Sequence, residues 1–338
     1  STIHRLLEAT NVGFQRNREN PIDQELIIID ETSMIDTLLM DSLLEAIPSA
    51  SRLIIVGDVD QLPSVGAGTV LQDFIKSGSI PVVRLNHIFR QASGSIITVN
   101  AHKVRLGEIP SVNKSSKQSD LKDQLKDYYF IEESDQDKIV EKILLLNTER
   151  IPQRFDLDPI KEIQVLTPMH RGVTGASQLN RNLQEKINPD AKGIEHREQW
   201  FRVGDKIMQQ QNDYEKQVFN GDLGRVVDCD QDSKELYVKF EQSHIHYKSN
   251  ELDQLTLAYA ITVHKSQGSE YSAVIMPITT HHYMMLQRNL LYTAITRGKQ
   301  LVILIGTSTA LKIAVENQGN LNRYTGLLNQ FSEWRKKF

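Results

Sequence analysis

Two short apolar runs that each lead into a carboxylate place the strongest constraint on how this chain folds. Residues 26–29 (Leu-Ile-Ile-Ile) precede Asp30-Glu31, and residues 53–56 (Leu-Ile-Ile-Val) precede Gly57-Asp58. Uninterrupted apolar runs of this length, rich in β-branched residues, are typical of strands buried on both faces of a parallel sheet. A stretch with helical apolar spacing separates the two runs. The pattern therefore predicts an α/β layer fold with right-handed crossovers.

Further apolar patterns continue the alternation of strands and helices along the chain. The expected strands are residues 81–85, 163–166, 273–276 and 301–305, and the expected helices are residues 70–74, 139–146, 179–187, 259–267 and 288–296. Residues 111–127 are almost entirely polar, which predicts a linker or an exposed loop. At about 150 residues per domain, a chain of 338 residues favours two domains.

Residues 200–254 differ from their flanks because they contain several short strand-like pieces. Among these pieces, Asn220-Gly221 is a turn dipeptide that tolerates positive φ. We interpret the stretch as a small β-barrel inserted into the second domain. The expected organisation is a first domain at residues 1–110, a linker at 111–127, a second domain at 128–338 and the insert at 200–254.

Composition excludes several protein classes. The chain is 39% hydrophobic and 24% charged, which is typical of a globular protein rather than a disordered one. Its net charge of −4 means that a nucleic acid would need a local basic groove. Cys229 is the single cysteine, which excludes a disulfide framework and favours a reducing cytoplasm. No apolar run approaches the roughly 20 residues that a membrane span needs.

The carboxylate pair Asp30-Glu31 is the first candidate for chemistry. Open α/β sheets bind their ligands at the carboxyl ends of their strands, where this pair is expected to lie. In a nucleotide hydrolase, the first carboxylate holds Mg²⁺ through its water shell and the second accepts a proton from the attacking water. The alternative is a strand that simply ends in polar residues.

Residues 57–68 (Gly-Asp-Val-Asp-Gln-Leu-Pro-Ser-Val-Gly-Ala-Gly) follow the next predicted strand and should lie at the same edge of the sheet. The amide of Gln61 can donate to a phosphate oxygen and accept from a water molecule. The glycines and the proline indicate a tight loop, and the alternative is an ordinary Gly/Pro turn. The proximity of this loop to Asp30-Glu31 favours the functional interpretation.

Two further groups of residues have chemistry that suits phosphate. Arg90 and Arg297 could neutralise charge that develops during phosphoryl transfer, although a single arginine is more often a surface residue. Residues 262–270 (Thr-Val-His-Lys-Ser-Gln-Gly-Ser-Glu) could contact a phosphate backbone, and the alternative is a helix capped at its C-terminus by glycine. A phosphate-binding loop of the form G-x-x-x-x-G-K-[ST] does not occur in the chain.

Taken in order, these blocks resemble the RecD-like helicases of superfamily 1, the branch that moves 5′ to 3′ on single-stranded DNA and includes the exodeoxyribonuclease V alpha subunit. The matching blocks are residues 2–7, 30–34, 57–63, 89–91, 263–270 and 292–297, with further similarity at 166–172 and 219–224. The resemblance implies two RecA-like domains of the P-loop NTPase type. ATP is expected in the cleft between them, and single-stranded DNA across their top.

The resemblance also implies roles for particular residues. Asp30 would hold Mg²⁺ through water, Glu31 would be the catalytic base and Gln61 would sense the γ-phosphate. The arginine fingers would be Arg90 and Arg297. Further nucleotide contacts are implied for Gln267, Gly268 and Glu270, and nucleic-acid contacts for Thr2, His4, Asn220, Thr262, His264 and Ser266. A strand-separating hairpin is implied at about residues 11–25.

One departure from the family keeps other functions open. In the family, the ATP-binding loop precedes the block that here begins at Thr2, so we expect a fragment with weak or absent ATPase activity and a less stable first sheet. The first alternative is a non-catalytic nucleic-acid-binding subunit that retains a relic nucleotide cleft. The second is an RNA helicase of the same superfamily. A nuclease complex and a role in DNA repair or recombination are further expectations from the family.

Overall fold

The computed structural model describes residues 2–10, 12–85, 95–111, 127–241, 243–319, 323 and 325–335. The chain divides into two compact units, Ser1–Ile88 with Gln318–Phe338 and Phe89–Asn317. Among the described residues, no helix has both the length and the apolar character needed to cross a membrane. The fold class is α/β, as the sequence predicts.

The first unit contains a pair of parallel strands with helices packed against them. Its elements are α1 (Ile3–Leu6), β1 (Ala9–Thr10), β2 (Gly13–Phe14), β3 (Leu26–Ile29), α2 (Thr37–Ala46), β4 (Arg52–Ile55) and α3 (Val70–Ser77). Strands β3 and β4 are parallel, and Ile28 pairs with Ile54. The carboxylate of Asp36 accepts a hydrogen bond from the Leu39 amide at 2.8 Å, which caps the N-terminus of α2.

The first sheet is buried on one face, whereas the sequence predicts burial on both. Ile27 and Ile29 pack into a core with side chains of α2 and α3, such as Leu43 and Phe74. Ile28, between them, is 59% exposed. Successive side chains of a strand point to opposite faces, and in the described residues the core covers one face alone.

Residues 81–85, which the sequence predicts as a third strand, adopt no regular secondary structure. Within the described part of the chain they form no ladder with another strand. Pro81 has no amide N–H to contribute to such a ladder. Val83 and Leu85 are exposed, so burial does not stabilise this run as a strand.

The second unit is built on five parallel strands in the order β14-β6-β15-β16-β5. Its elements are α4 (Ile96–Leu106), β5 (Tyr128–Glu132), α5 (Gln136–Leu145), α6 (Ile151–Phe155), β6 (Ile163–Thr167), α7 (Ala176–Ile187), β7 (Gly193–His196), β8 (Gln199–Arg202), β9 (Lys206–Gln209), β10 (Leu223–Asp230), β11 (Glu235–Lys239), β12 (His244–Tyr247), β13 (Leu255–Leu257), β14 (Ala260–Thr262), β15 (Tyr271–Ile278), α8 (Arg288–Thr296), β16 (Gly298–Gly306) and α9 (Ser308–Glu316). The last helix, α10 (Leu327–Arg335), belongs to the first unit.

The predicted helix over residues 259–267 is wrong. Its first part is strand β14, in which Ile261 pairs in parallel with Leu166, and its second part is the 3₁₀ turn Val263–Ser266. Ile261 and Thr262 are β-branched, which favours a strand at the edge of an existing parallel sheet. This tertiary pairing outweighs the helical spacing of the apolar residues.

Four strands within the predicted small β-insert, β9 to β12, form an antiparallel sheet with β13, which follows residue 254, in the order β12-β11-β10-β9-β13. A buried polar network connects it to the parallel sheet: the Lys206 ammonium on β9 donates to the side-chain amide oxygen (Oε1) of Gln164 on β6 at 2.8 Å. Burial lowers the pKa of Lys206 to about 8. Burial also raises the pKa of Asp205, although its carboxylate accepts hydrogen bonds from Asn188 and Tyr259.

Helix α4 packs against α8 and clusters with the second unit, although the sequence-based boundary at residue 110 assigns it to the first domain. Residues 112–126 of the predicted linker lie outside the described residues. The domain boundaries therefore stay a prediction.

Candidate functional site

The carboxylate pair lies where β3 ends in the first unit. Asp30 is exposed, and its Oδ1 accepts the Glu31 amide at 2.8 Å. Glu31 adopts the left-handed conformation, with φ 51° and ψ 40°. Positive φ is uncommon outside glycine and marks a backbone that its surroundings constrain. The chain therefore turns sharply at Glu31, directly after the strand.

Thr32 holds this turn against the end of β4. Its hydroxyl and its amide both donate to the Val56 carbonyl, at 2.7 and 3.1 Å. Gly57 is the residue after Val56. A Cβ added to it would lie 2.5 Å from the Thr32 hydroxyl oxygen. A side chain at residue 57 would therefore push apart the two loops that carry the carboxylates and the glutamine.

Gln61 lies in a turn that Asp58 organises. The Asp58 carboxylate accepts the Asp60 amide at 3.0 Å, and the Asp58 carbonyl accepts the Gln61 amide at 3.3 Å. The next side chain, Leu62, is buried. The structure thus brings Asp30, Glu31 and the Gln61 turn to the carboxyl ends of two neighbouring parallel strands, where α/β sheets bind ligands.

The N-terminal candidates surround the short helix α1. The Thr2 hydroxyl caps α1 by accepting the Arg5 amide at 3.2 Å, and its own proton remains a potential donor. The His4 ring lies 5.7 Å from the Phe14 ring on β2, between centroids. Strand β1 pairs antiparallel with β2, which lies at the start of the segment where the family resemblance implies a hairpin.

In the second unit, the segment between β14 and β15 contains most of the other candidates. Thr262 and His264 are half-buried, and burial lowers the pKa of His264. Gly268 is exposed with φ +76°, and Gln267 precedes it. The Glu270 carboxylate pairs with the Lys299 ammonium at 3.2 Å. These residues form one continuous turn at the edge of the parallel sheet.

Ser266 and Arg297 differ from their neighbours because both are buried. Ser266 is fully buried and its hydroxyl donates to the Val263 carbonyl at 2.8 Å, so the hydroxyl proton is used within the turn. Arg297 is 2% exposed, and its guanidinium donates to the Ser269 carbonyl at 3.1 Å. Arg297 is thus held beside the turn that contains Gly268.

Asn220 lies in the exposed loop between β9 and β10. Its backbone amide donates to the side-chain oxygen of Asn212 at 3.0 Å. Gly221 has φ +100°, which confirms the turn that the dipeptide predicts. The Phe219 and Tyr214 rings pack edge to face 6.0 Å apart in the same loop, and Tyr214 is 40% exposed.

The candidates therefore fall into one set in each unit, and Arg90 lies outside the described residues. Within the described ranges, no group of three or more acidic, histidine or cysteine side chains could hold a metal ion. An exposed single carboxylate such as Asp30 still fits Mg²⁺, which usually binds one or two carboxylates together with substrate phosphates and water.

Sequence reasoning missed several side chains that shape these loops. The Lys265 ammonium donates to the side-chain amide oxygen (Oε1) of Gln210 in the insert at 2.5 Å, which joins the turn after β14 to the loop after β9. The Arg323 guanidinium donates to carbonyls of the loop that follows Gln61. No local sequence signal reports either contact, because each joins residues more than 50 positions apart.

Comparison with protein families identifies three consecutive matches along the chain. An AAA domain matches residues 1–124, the SH3 domain of ATP-dependent RecD-like DNA helicases matches residues 179–240, and the UvrD-like helicase C-terminal domain matches residues 257–305. The second match overlaps the predicted insert, and the third contains the turn with Thr262 and Glu270.

Similar proteins extend over nearly the whole chain. The ATP-dependent RecD2 DNA helicase of Deinococcus radiodurans is 36% identical over 330 residues, which are 98% of this chain and 43% of that protein. The RecBCD enzyme subunit RecD of Mycolicibacterium smegmatis is 30% identical over 97% of this chain and 58% of that subunit. The chain thus spans about half the length of these relatives.

Solved structures agree on the fold. The Pif1 helicase of Candida albicans matches with a TM-score of 0.53 and 17% identity, over 100% of this chain and 82% of that one. A Pif1 structure that addresses DNA unwinding at forked double-stranded DNA matches with a TM-score of 0.52 and 18% identity, over 99% and 83%. The ordered domain matches and the sequence identity show that this chain belongs to the RecD-like DNA helicases of superfamily 1.

Proposed function

We propose that the whole protein is an ATP-dependent DNA helicase that moves 5′ to 3′ along single-stranded DNA. The observation that supports this most strongly is the convergence of Asp30, Glu31 and the Gln61 turn at the carboxyl edge of β3 and β4. Asp30 would hold Mg²⁺ through water, Glu31 would accept the proton of the attacking water and Gln61 would contact the γ-phosphate.

The nucleotide site of this proposal needs more than the present chain. Because the sequence has no G-x-x-x-x-G-K-[ST] loop, we assign ATP binding to the whole protein and not to these 338 residues. Arg90 and Arg297 would neutralise charge on the transferred phosphoryl group. Gln267, Gly268 and Glu270 would line the nucleotide from the second unit.

The DNA contacts of this proposal are assigned to Thr2, His4, Asn220, Thr262 and His264. Hydroxyls, amides and imidazoles bind phosphate oxygens without reading sequence. Because burial lowers the pKa of His264, its imidazole would be neutral at pH 7 and would act as a hydrogen-bond donor rather than a cation. Ser266 is left out because its hydroxyl is committed to Val263.

Strand displacement tests the proposal directly. The whole protein is mixed with a labelled duplex that has a single-stranded tail at either the 5′ or the 3′ end, with and without ATP and Mg²⁺. We expect displacement that requires ATP, Mg²⁺ and the 5′ tail. Displacement from the 3′-tailed duplex alone would contradict the polarity, and no displacement from either substrate would contradict the helicase.

Two alternatives predict different behaviour. A non-catalytic subunit would bind DNA with strong salt dependence and with the same affinity whether or not nucleotide is present. An RNA helicase would displace strands from an RNA duplex, because its groove would accept the 2′-hydroxyl. The same tailed substrates made in RNA, and DNA binding measured with and without a non-hydrolysable ATP analogue, separate these cases.

The proposal also covers the complex and the cellular process in which the protein works. Relatives named as RecBCD subunits suggest that this protein works in a nuclease complex in the cytoplasm, in DNA repair or recombination. The measurement is co-purification of the tagged whole protein from its own cells. Recovery of a nuclease subunit would support the complex, and recovery of a monomer alone would favour an independent helicase.

A further inference from the structure

The loop that follows Gln61 is held by a guanidinium from the far end of the chain. Nη1 of Arg323 donates to the Ser64 carbonyl at 2.6 Å and to the Gly66 carbonyl at 2.8 Å, and lies 3.3 Å from the Gly68 carbonyl. Arg323 and this loop belong to the same unit. Hydrogen bonds from a charged donor are stronger than those between neutral groups, so three carbonyls around one guanidinium fix the path of the loop.

Close packing keeps this loop in register with the N-terminus of α2. The Ala67 carbonyl accepts both the amide and the hydroxyl of Thr37, at 2.9 and 3.0 Å. A Cβ on Gly66 would lie 2.0 Å from the Asp36 carboxylate, and a Cβ on Gly68 would lie 2.2 Å from the Thr37 hydroxyl oxygen. The loop therefore passes between α2 on one side and Arg323 on the other.

The segment that carries Arg323 is itself anchored on α3. The Thr325 hydroxyl donates to the Asp73 carboxylate at 3.3 Å. The Phe331 ring of α10 packs edge to face on the Phe74 ring, with centroids 5.7 Å apart. Arg323 lies four residues before α10, and these contacts anchor the described residues that follow it, Thr325 and Phe331, on α3.

We propose that Arg323 is a positioning residue for Gln61, and that the C-terminal segment holds the Gln61 loop in the geometry that nucleotide turnover needs. The proposal rests on the proposed function for the role of Gln61. Only two residues separate Gln61 from Ser64, whose carbonyl accepts the shortest of these hydrogen bonds. A shift of this loop would move the Gln61 amide relative to the phosphate it contacts, and misplacement by about 1 Å can lower a rate a hundredfold.

A double-mutant cycle in the whole protein tests this positioning role. The variants are Arg323→Ala, Gln61→Ala and the double variant, assayed for kcat and for the KM of ATP at saturating single-stranded DNA. We expect Arg323→Ala to lower kcat by about tenfold to a hundredfold with KM changed less than about threefold. The double variant should be no slower than the slower single variant, since both changes remove the same contact.

Two matched variants separate positioning from folding. Arg323→Lys keeps a cation that can donate to the same carbonyls and should recover most of kcat. Ser332→Ala lies on α10, the helix that follows Arg323; it removes a hydroxyl that donates to the Leu328 carbonyl and should leave kcat unchanged. Multiplicative losses in the double variant, or a lysine variant as slow as the alanine variant, would overturn the proposal.

Hydrogen exchange provides a readout that does not depend on catalysis. Peptides that span residues 61–69 should exchange faster in Arg323→Ala than in the native protein without nucleotide, while peptides from β16 stay unchanged. Unchanged hydrogen exchange at residues 61–69 would overturn the proposal that Arg323 holds this loop, even if ATP turnover fell. If the native protein showed no turnover, the helicase proposal would fail, and exchange alone would still decide whether Arg323 holds the loop.

Discussion

The parallel sheets of the two units are built from similar apolar runs but bury them differently. In the second unit, Val274, Ile275 and Met276 on β15 are all fully buried. In the first unit, Ile27 and Ile29 are buried while Ile28 is 59% exposed. Strand β15 has a neighbour on each side, β6 and β16, whereas β3 pairs with β4 alone among the described strands.

The difference shows that an apolar run reports the tendency to form a strand and not the number of layers that cover it. Burial on both faces depends on how many strands and helices the rest of the fold supplies. The two sheets also differ in what they contribute to the protein. The sheet of the first unit carries Asp30, Glu31 and the Gln61 turn at its carboxyl edge. The sheet of the second unit contributes fully buried side chains to the core, such as Val274 and Leu301.

The largest expected effect concerns the carboxyl edge of the first-unit sheet, where β3 and β4 end. In the whole protein, Glu31→Gln should lower ATP turnover by about 10²–10⁴-fold, because an amide cannot accept the proton of the attacking water. Binding of a non-hydrolysable ATP analogue should persist. Glu25→Gln, an exposed acidic residue one position before β3, is the matched control and should behave as the native protein. Unchanged turnover in Glu31→Gln would remove the catalytic base from this edge.

The next effect compares core residues of the two sheets. Ile275→Ala should destabilise the protein by about 2–5 kcal/mol, because it leaves a cavity in a fully buried strand. Ile28→Ala should cost less than about 1 kcal/mol, because its side chain is largely exposed. Denaturant unfolding measures both changes. A cost at Ile28 equal to that at Ile275 would mean that a further layer covers the first sheet.

A pH effect on stability is expected from His282 in the second unit. Burial, with a smaller effect from the His281 charge, lowers the pKa of His282 from 6.5 to about 4, and its Nε2 lies 2.9 Å from the Thr174 hydroxyl. As the pH falls below 6.5, the unfolded chain binds a proton that the folded chain does not. Folding should therefore lose about 2 kcal/mol of stability between pH 7 and pH 5.

His282→Gln tests this assignment, because glutamine does not titrate in that range. The free energy of unfolding of the variant, measured from pH 7 to pH 5, should fall less than that of the native protein by about the same 2 kcal/mol. His281→Gln, the exposed neighbour, is the control and should retain most of the pH dependence. Equal slopes for native protein and His282→Gln would place the pH dependence elsewhere.

The smallest expected effects compare two motif glycines. Gly57→Ala should cost about 1–3 kcal/mol, because its Cβ would collide with Thr32 and with Leu71. Gly268→Ala should cost about 1 kcal/mol, because φ is +76° and the surrounding space is open. Thermal unfolding of the two variants measures the difference. A larger cost at Gly268 would mean that backbone strain outweighs packing in these loops.

The sequence predicts the parts of this fold that depend on local pattern. Helices α2, α3, α5, α7 and α8 and strands β3, β4, β6, β15 and β16 all lie where apolar spacing predicts them. The sequence predicts a helix where strand β14 lies, because the edge pairing of β14 with β6 depends on a partner almost 100 residues away. The run at 81–85 has strand-like composition, but no described partner strand stabilises it.

The candidate site, like the fold, is predicted by the sequence only in part. Motif order predicts that Asp30, Glu31 and the Gln61 turn lie together, because the carboxyl ends of adjacent parallel strands share one edge. Motif order does not predict that Ser266 is buried, since its burial follows from the 3₁₀ turn in which it lies. Arg323 carries no sequence signal, because its role arises from a contact with a loop more than 250 residues earlier.

ATP hydrolysis by the whole protein, measured as single-stranded DNA is titrated in, is the most direct test of the helicase assignment. A superfamily 1 motor should hydrolyse ATP slowly without DNA and at least about tenfold faster at saturating DNA, and Glu31→Gln should lower both rates by about 10²–10⁴-fold. A rate that is zero, or that DNA leaves unchanged, would contradict the assignment and favour a nucleic-acid-binding subunit without a working motor.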